Sequence, residues 1–124
     1  MITVIISTYK RAQFIERAID SVLNQTYNDF EIIVVDDNNP KTEERKALEE
    51  KMQKYLNNDK VIFVQHEKNK NGAAARNTAL KIAKGNYITF LDDDDYYMPR
   101  RLEVLKETLD KDKEFDAVYS SCIT

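Results

Sequence analysis

Short apolar runs alternate with segments of helical periodicity along the whole chain, and this alternation limits the folds that it can adopt. The runs are rich in β-branched residues and lie at residues 4–6, 30–35, 61–64 and 87–91, with a fifth beginning at 117–120. Between the first two runs, Ile15, Ile19 and Val22 recur at helical spacing. Continuous apolar strands separated by helices are typical of a mostly parallel sheet with helices on both faces. The sequence therefore predicts a single α/β domain.

Size and charge exclude several classes of protein. With 124 residues, of which 42% are apolar, the chain can bury a core without disulfides. Its net charge of −3 is too balanced to indicate nucleic acid or a membrane surface as the partner. Cys122 is the single cysteine, so no disulfide can form within the chain, and the first apolar run is too short for a signal peptide or a transmembrane segment. We therefore expect a cytoplasmic location, with attachment at the cytoplasmic face of a membrane left open.

Polar residues follow three of the predicted strands at the point where each strand ends. The first strand is followed by Ser7, Thr8 and Tyr9, the second by Asp36 and Asp37, and the fourth by the aspartate run, residues 92–95. In open parallel sheets, ligands bind outside the carboxyl ends of the strands. We therefore expect these side chains to meet at one edge of the sheet.

The aspartate run is the most informative of these groups. Four adjacent carboxylates repel one another, and a cleft at a strand end solvates them poorly. A divalent cation among them would offset that repulsion. Oxygen ligands with no nearby His or Cys favour Mg²⁺ or Mn²⁺ over zinc. The alternative is an acidic turn that is simply solvated.

Asp37 and Tyr9 are candidates for binding a nucleotide base. An ionised aspartate accepts a hydrogen bond from the N–H of uracil, where cytosine presents an acceptor instead. Equally, an acidic residue at a strand end can cap a helix or bind loop amides. Tyr9 could stack on a base or pack against the sheet edge. His66, the only histidine, is interpreted as a surface or loop residue rather than a catalytic base.

Two residues are interpreted through backbone conformation alone. Gly85 is predicted to end the alanine-rich helix in the left-handed conformation. Pro99 is predicted to open the helix that follows the aspartate run, because its fixed φ and missing N–H are tolerated at a first helical position.

Taken together, five segments resemble the opening of family 2 glycosyltransferases. They are residues 4–11 (VIISTYKR), 21–27 (SVLNQTY), 33–37 (IVVDD), 71–77 (NGAAARN) and 85–95 (GNYITFLDDDD). The resemblance spans nearly the whole chain in the family's order. It implies the GT-A fold, a Rossmann-like nucleotide-binding sheet, and a metal-dependent, usually inverting, transfer of a sugar from a nucleotide diphosphate, here most simply UDP, to an acceptor hydroxyl.

The resemblance also implies roles for individual residues. The nucleotide-binding set would be Ser7, Thr8, Tyr9, Asp37, Asn71, Arg76, Asp92 and Asp93. Within this set Asp37 would contact uracil and Asp93 the ribose. Asp94 with Asp92 would hold Mn²⁺ or Mg²⁺ bridging the diphosphate, and Asp95 is the second choice as ligand.

No catalytic base is expected in this chain. The resemblance implies that the base belongs to an acceptor-binding half, which in this family follows the nucleotide-binding region. Residues 1–124 are therefore expected to be the nucleotide-sugar-binding part, acting with a saccharide or lipid-linked acceptor in polysaccharide or glycoconjugate synthesis, and to be inactive alone. The chain departs from the family pattern at Ser7, Lys10 and residues 38–40, which leaves the sugar undetermined.

Two alternatives belong to other functional classes. A non-catalytic nucleotide-binding module could keep the same fold without transferring a sugar. A phosphoacceptor receiver domain has the same strand and helix alternation and an acidic pocket. However, receivers place an acidic pair after the first strand and a lysine after the fifth, where this chain has Ser7 and Ser120 to Cys122.

Overall fold

The computed structural model describes residues 1–111, which form four strands and four α-helices in alternation. In chain order they are β1 (Ile2–Thr8), α1 (Ala12–Leu23), β2 (Phe30–Asp36), α2 (Glu43–Met52), β3 (Val61–Gln65), α3 (Gly72–Ile82), β4 (Tyr87–Phe90) and α4 (Arg101–Lys111). A 3₁₀ turn, Gln53–Tyr55, extends α2. The predicted fifth strand at 117–120 and Cys122 lie outside the described residues. No helix in residues 1–111 is both long and apolar enough to span a bilayer.

The four strands form one parallel sheet in the order β3-β2-β1-β4. Consecutive strands step outward from β1 through β2 to β3, and the chain then crosses to the other side of β1 to place β4. The order therefore reverses between β1 and β4, and such a switch point opens a crevice for ligands at the carboxyl ends of the strands. The register sets Thr8 opposite Asp36 at that edge.

Helices cover both faces of the sheet, which confirms the predicted α/β class. On one face Val4 and Ile6 of β1 join a large apolar cluster with α1, α2 and α4. On the other face Ile5 packs with the small side chains Ala75 and Ala79 of α3. Side chains of a strand alternate between faces, so a strand covered on both sides must be apolar throughout. This explains the continuous apolar runs of the sequence.

The prediction that Gly85 ends α3 in the left-handed conformation is wrong. Helix α3 already ends at Ile82, and among the described residues no glycine has a positive φ. A Cβ on Gly85 would lie 2.5 Å from Thr3 Oγ1 and 2.7 Å from the Thr3 backbone nitrogen. Glycine is needed here because the chain passes directly over β1, where the Gly85 N–H donates to Thr3 Oγ1 at 2.9 Å.

Helix α4 begins at Arg101, two residues later than the prediction from Pro99. Gln25, two residues after the end of α1, fixes this start. Its Oε1 accepts a hydrogen bond from the Leu102 N–H at 2.9 Å, and its Nε2 donates to the Met98 carbonyl at 2.6 Å. The side chain thus binds one of the N–H groups that the first turn of a helix leaves without an intrahelical partner.

Candidate functional site

The carboxyl ends of β1, β2 and β4 meet at one edge of the sheet, as the sequence predicts. The Asp37 N–H donates to the Thr8 carbonyl at 3.0 Å, which joins the end of β2 to the end of β1. The Leu91 N–H donates to the Ile5 carbonyl at 3.0 Å, which carries the aspartate run to the tip of β1. Lys10, with φ 58°, turns the chain after β1, and its N–H donates to Asn38 Oδ1 at 2.8 Å.

The four carboxylates of the aspartate run occupy different environments. Asp93 is buried, whereas Asp92 and Asp94 are exposed. The run makes a turn, in which the Asp95 N–H donates to the Asp92 carbonyl at 3.0 Å. Alternate residues of this turn therefore face the protein and the solvent.

Asp93 lies against the tip of β1. Burial raises its pKa, while the nearby Thr8 hydroxyl, the Arg11 guanidinium and the Tyr9 amide act in the opposite direction. The Thr8 hydroxyl is itself buried, and no partner among the described residues meets it in full hydrogen-bond geometry. The crevice between β1 and β4 thus contains a buried acid beside a buried hydroxyl with unused hydrogen-bonding capacity.

Two arginines of the α1 region hold the aspartate turn. Arg11 Nη1 lies 2.9 Å from Asp94 Oδ2 and 3.4 Å from Asp93 Oδ1. Arg17 Nη2 donates to the Asp94 carbonyl at 2.6 Å, and its guanidinium lies 4.9 Å from the Tyr96 ring centroid. Neither residue is predicted from the sequence to have a role, although Arg11 lies in the first of the segments that resemble the family. Their positive charge offsets part of the repulsion that we had expected a metal ion to offset.

The residues of the turn fit a cation only if the cation also binds a ligand. Among the residues that the structure describes, no group of three or more His, Cys, Asp or Glu side chains could hold a metal ion. The exposed carboxylates of Asp92 and Asp94 nevertheless lie on this edge of the sheet. Mg²⁺ is usually held by one or two carboxylates together with water and substrate phosphates. The acids therefore match a shared site and not a cage built from protein alone.

Asp36 organises the loop that follows β2. It is completely buried, and its Oδ1 accepts from the N–H of Asn38 at 3.0 Å and from Asn38 Nδ2 at 2.8 Å. Its other oxygen, Oδ2, lies 3.2 Å from Gln65 Nε2 and 3.4 Å from Arg45 Nε. Asp36 therefore fits the loop-binding alternative.

Asp37 is buried, and its carboxylate accepts four hydrogen bonds. Oδ1 accepts from His66 Nδ1 at 2.8 Å and from the Lys70 N–H at 2.9 Å. Oδ2 accepts from Asn69 Nδ2 at 2.9 Å and from the Asn71 N–H at 3.0 Å. A carboxylate offers about four lone-pair positions. A base that bound Asp37 would therefore have to replace one of these donors.

His66 lies in the loop after β3, as one part of its interpretation states, but it is not a surface residue. It is buried at 5% exposure, with Nδ1 on Asp37 and Nε2 2.8 Å from Thr78 Oγ1. Its N–H donates to the Asp36 carbonyl at 2.9 Å. The residue directly follows β3, which pairs with β2, so the strand-end rule that selected Asp37 could have selected His66 as well.

The remaining predicted residues lie around this edge. Tyr9 is 38% exposed, with Lys10 Nζ 5.1 Å from its ring centroid, and Ser7 is partly buried. Asn71 adopts φ 114° and caps α3 by accepting from the Ala74 N–H at 2.9 Å. The Arg76 guanidinium, on α3, lies 5.3 Å from the ring centroid of Phe90, the last residue of β4.

Comparisons with known proteins identify the family and the fold. A family model described as Glycosyl transferase family 2 matches residues 3–122. The glucosyltransferase WfaP of Escherichia coli, named for UDP-Glc and α-D-GlcNAc-diphosphoundecaprenol, is 34% identical over 93% of this chain and 43% of its own length. The chain spans less than half the length of the curated relatives that it matches.

Two solved structures are similar in backbone as well. S. aureus TarS 1-349 in complex with UDP-GlcNAc has a TM-score of 0.73 and 32% identity, covering 89% of this chain and 31% of that chain. The mannosyltransferase PcManGT of Pyrobaculum calidifontis, in complex with GDP-Man and Mn²⁺, has a TM-score of 0.67 and 28% identity, covering 80% of this chain and 29% of that chain. The predicted GT-A fold is confirmed, and the receiver-domain alternative is excluded. The chain belongs to glycosyl transferase family 2.

Proposed function

We propose that residues 1–124 are the nucleotide-sugar-binding part of a metal-dependent, inverting glycosyltransferase that uses a UDP-sugar. One observation carries this proposal: Thr8, Asp37 and Asp93 meet at the switch point of a parallel sheet in a member of this family. The complex of TarS with UDP-GlcNAc supports the choice of donor.

Different residues of this edge bind different parts of the nucleotide. Asp37 accepts the N–H of uracil and Tyr9 stacks on the ring, while Asp93 and the spare capacity of the Thr8 hydroxyl serve the ribose. Asp92 and Asp94 would hold Mn²⁺ or Mg²⁺ together with the diphosphate, and such a cation would supply positive charge to the leaving group. The Mn²⁺ in the complex of PcManGT supports this role for a cation.

The base that deprotonates the acceptor hydroxyl belongs to a segment beyond residues 1–124. This chain therefore binds the donor but transfers no sugar at a useful rate by itself. The acceptor is a saccharide or a lipid-linked saccharide, as the name of WfaP suggests for that relative, and the pathway is polysaccharide or glycoconjugate synthesis. Its single cysteine agrees with a reducing, cytoplasmic location.

A thermal-shift panel of UDP, GDP, CDP and ADP tests the proposal, with and without Mn²⁺. Ligands that bind only the native state raise the melting temperature. We expect the largest shift with UDP plus Mn²⁺, and a smaller shift in Asp94→Asn. The matched control is Asp59→Asn, which changes an exposed aspartate remote from this edge of the sheet. Equal shifts for all four nucleotides, or no loss in Asp94→Asn relative to Asp59→Asn, would contradict the proposal.

A further inference from the structure

The imidazole of His66 connects Asp37 to helix α3. Nδ1 lies 2.8 Å from Asp37 Oδ1, and Nε2 lies 2.8 Å from Thr78 Oγ1. The Thr78 hydroxyl also lies within donating distance of the Ala74 carbonyl of the same helix, at 3.0 Å, so its one hydrogen can be donated to that carbonyl or to Nε2. The side chain is only 4% exposed, so water cannot readily replace either partner. Both ring nitrogens are therefore committed to the protein.

The acceptor at one end fixes which nitrogen carries hydrogen. An ionised carboxylate can only accept hydrogen bonds, so His66 Nδ1 must be the donor toward Asp37. Backbone contacts hold the ring in place as well, because the His66 N–H donates to the Asp36 carbonyl at 2.9 Å and the His66 carbonyl accepts from Arg45. The carboxylate thus sets the direction of this hydrogen bond, and contacts with β2, α2 and α3 hold the ring in position.

His66 differs from the other three donors to Asp37. Those donors come from Asn69, Lys70 and Asn71, a run of exposed residues in the loop before α3. An exposed donor that leaves the carboxylate can bind water at little cost, whereas a buried donor left without a partner has no water to replace the lost hydrogen bond. A nucleotide that takes a position on Asp37 would therefore displace a loop donor and leave the His66 bond in place.

We propose that His66 is a positioning residue, which orients the Asp37 carboxylate toward the base of a uridine nucleotide. The base would replace one of the loop donors on Asp37, and the hydrogen bond from His66 would remain. The inference rests on the proposed function, because it assumes that Asp37 receives the uracil N–H. His66 touches no ligand in this scheme. It acts through Asp37, and Thr78 sets the orientation of the ring.

Two substitutions of His66 separate this role from a purely structural one. In Asn, the amide nitrogen is two bonds from Cβ, as Nδ1 is in His, so His66→Asn keeps the donor to Asp37 and loses Thr78. In Gln, the amide nitrogen is three bonds from Cβ, as Nε2 is in His, so His66→Gln keeps the contact to Thr78 and loses Asp37. If His66 only anchored α3, His66→Gln would be the milder change.

Calorimetric titration with UDP and Mn²⁺ gives the first test. We expect His66→Gln to weaken UDP binding about tenfold, in line with loss of one charge-assisted hydrogen bond, and His66→Asn to weaken it by less than about threefold. Equal affinities in wild type and His66→Gln, or the reverse order of the two variants, would overturn the inference alone. Failure of the wild-type chain to bind any uridine nucleotide would refute the proposed function and the inference together.

Nitrogen NMR of the wild-type protein gives a second test that requires no variant to fold. The chain has a single histidine, so the imidazole signals need no assignment. At alkaline pH we expect the Nδ1–H tautomer, both before and after addition of UDP with Mg²⁺. An imidazole with hydrogen on Nε2 and a bare Nδ1, in either state, would overturn the inference.

Discussion

Replacing Asp37 with asparagine tests how much of the edge of the sheet depends on one carboxylate. The four hydrogen bonds to Asp37 divide equally between its two oxygens. Asparagine retains one acceptor oxygen, but its NH₂ group can only donate. That group would therefore face two of the four donors without accepting a hydrogen bond from either. Because buried His66 cannot turn to water, we expect the remaining oxygen to stay with His66 and Lys70. The amides of Asn69 and Asn71 would then lose their acceptor.

The expected destabilisation follows from those two bonds. Hydrogen bonds to a charged group contribute about 1.5–3 kcal/mol each, and the lower value applies because both loop donors can bind water. Asp37→Asn should therefore lower the free energy of unfolding by about 3 kcal/mol. That is a large part of the roughly 5–15 kcal/mol by which a domain of this kind is stable.

Urea unfolding followed by circular dichroism measures this change, and amide hydrogen exchange locates it. Exchange should accelerate most at Asn71, whose N–H binds Oδ2, and then at the first turn of α3, which Asn71 caps. Asp59→Asn is the matched control, with an expected change within about 0.5 kcal/mol for an exposed site. A loss in Asp37→Asn no larger than in this control would refute the hydrogen-bond argument.

Three further predictions concern other parts of the chain. Gly85→Ala should destabilise the protein by about 1–3 kcal/mol in urea unfolding, because its Cβ would overlap β1. Gly72→Ala should be neutral or stabilising, because no atom lies within 4 Å of the added Cβ. Equal effects of the two substitutions would contradict this reasoning. Arg11→Gln should strengthen binding of Mn²⁺ in the presence of UDP by up to about fivefold in calorimetry, since an exposed ion pair with Asp94 contributes at most about 1 kcal/mol. Weaker binding would show that Arg11 does not compete with the cation. Burial raises the pKa of Asp93 in the folded state, so protonation of Asp93 stabilises the folded protein. The free energy of unfolding of the wild type, minus that of Asp93→Asn, should therefore increase as pH falls from neutral through the raised pKa, and level off below the usual aspartate pKa of about 4. A decrease of this difference over the same range would contradict the prediction.

The sequence predicts most of the fold because the fold depends on local patterns. A strand buried on both faces must be apolar at every position, and the runs at β1 and β2 are long enough to identify without a structure. Helix α1 is equally clear, since its buried residues repeat at helical spacing. The beginning of α4 was less predictable, because it depends on the side chain of Gln25 from a distant part of the chain.

The site is only partly predictable from the sequence, because many of its contacts join distant parts of the chain. The strand-end rule correctly brings Thr8 and Asp37 together, but it does not tell which of the adjacent aspartates turns inward to be buried, as Asp93 does. The ion pair between Arg11 and Asp94 joins residues far apart in sequence. Histidines in loops are mostly exposed, and the burial of His66 depends on Asp37 and on α3. Such contacts appear only when the elements are assembled.

Paramagnetic relaxation by Mn²⁺ tests most directly whether the nucleotide and the cation bind at the carboxyl edge of β1, β2 and β4. Amide signals of the ¹⁵N-labelled chain would be followed while Mn²⁺ is added in the presence of UDP, with Mg²⁺ as the diamagnetic reference. We expect signals from the aspartate turn and from Thr8 and Tyr9 to broaden first, while those at the end of α3 near Ile82 persist. Broadening centred on α2 or on the opposite ends of the strands, or no broadening that requires UDP, would contradict this expectation.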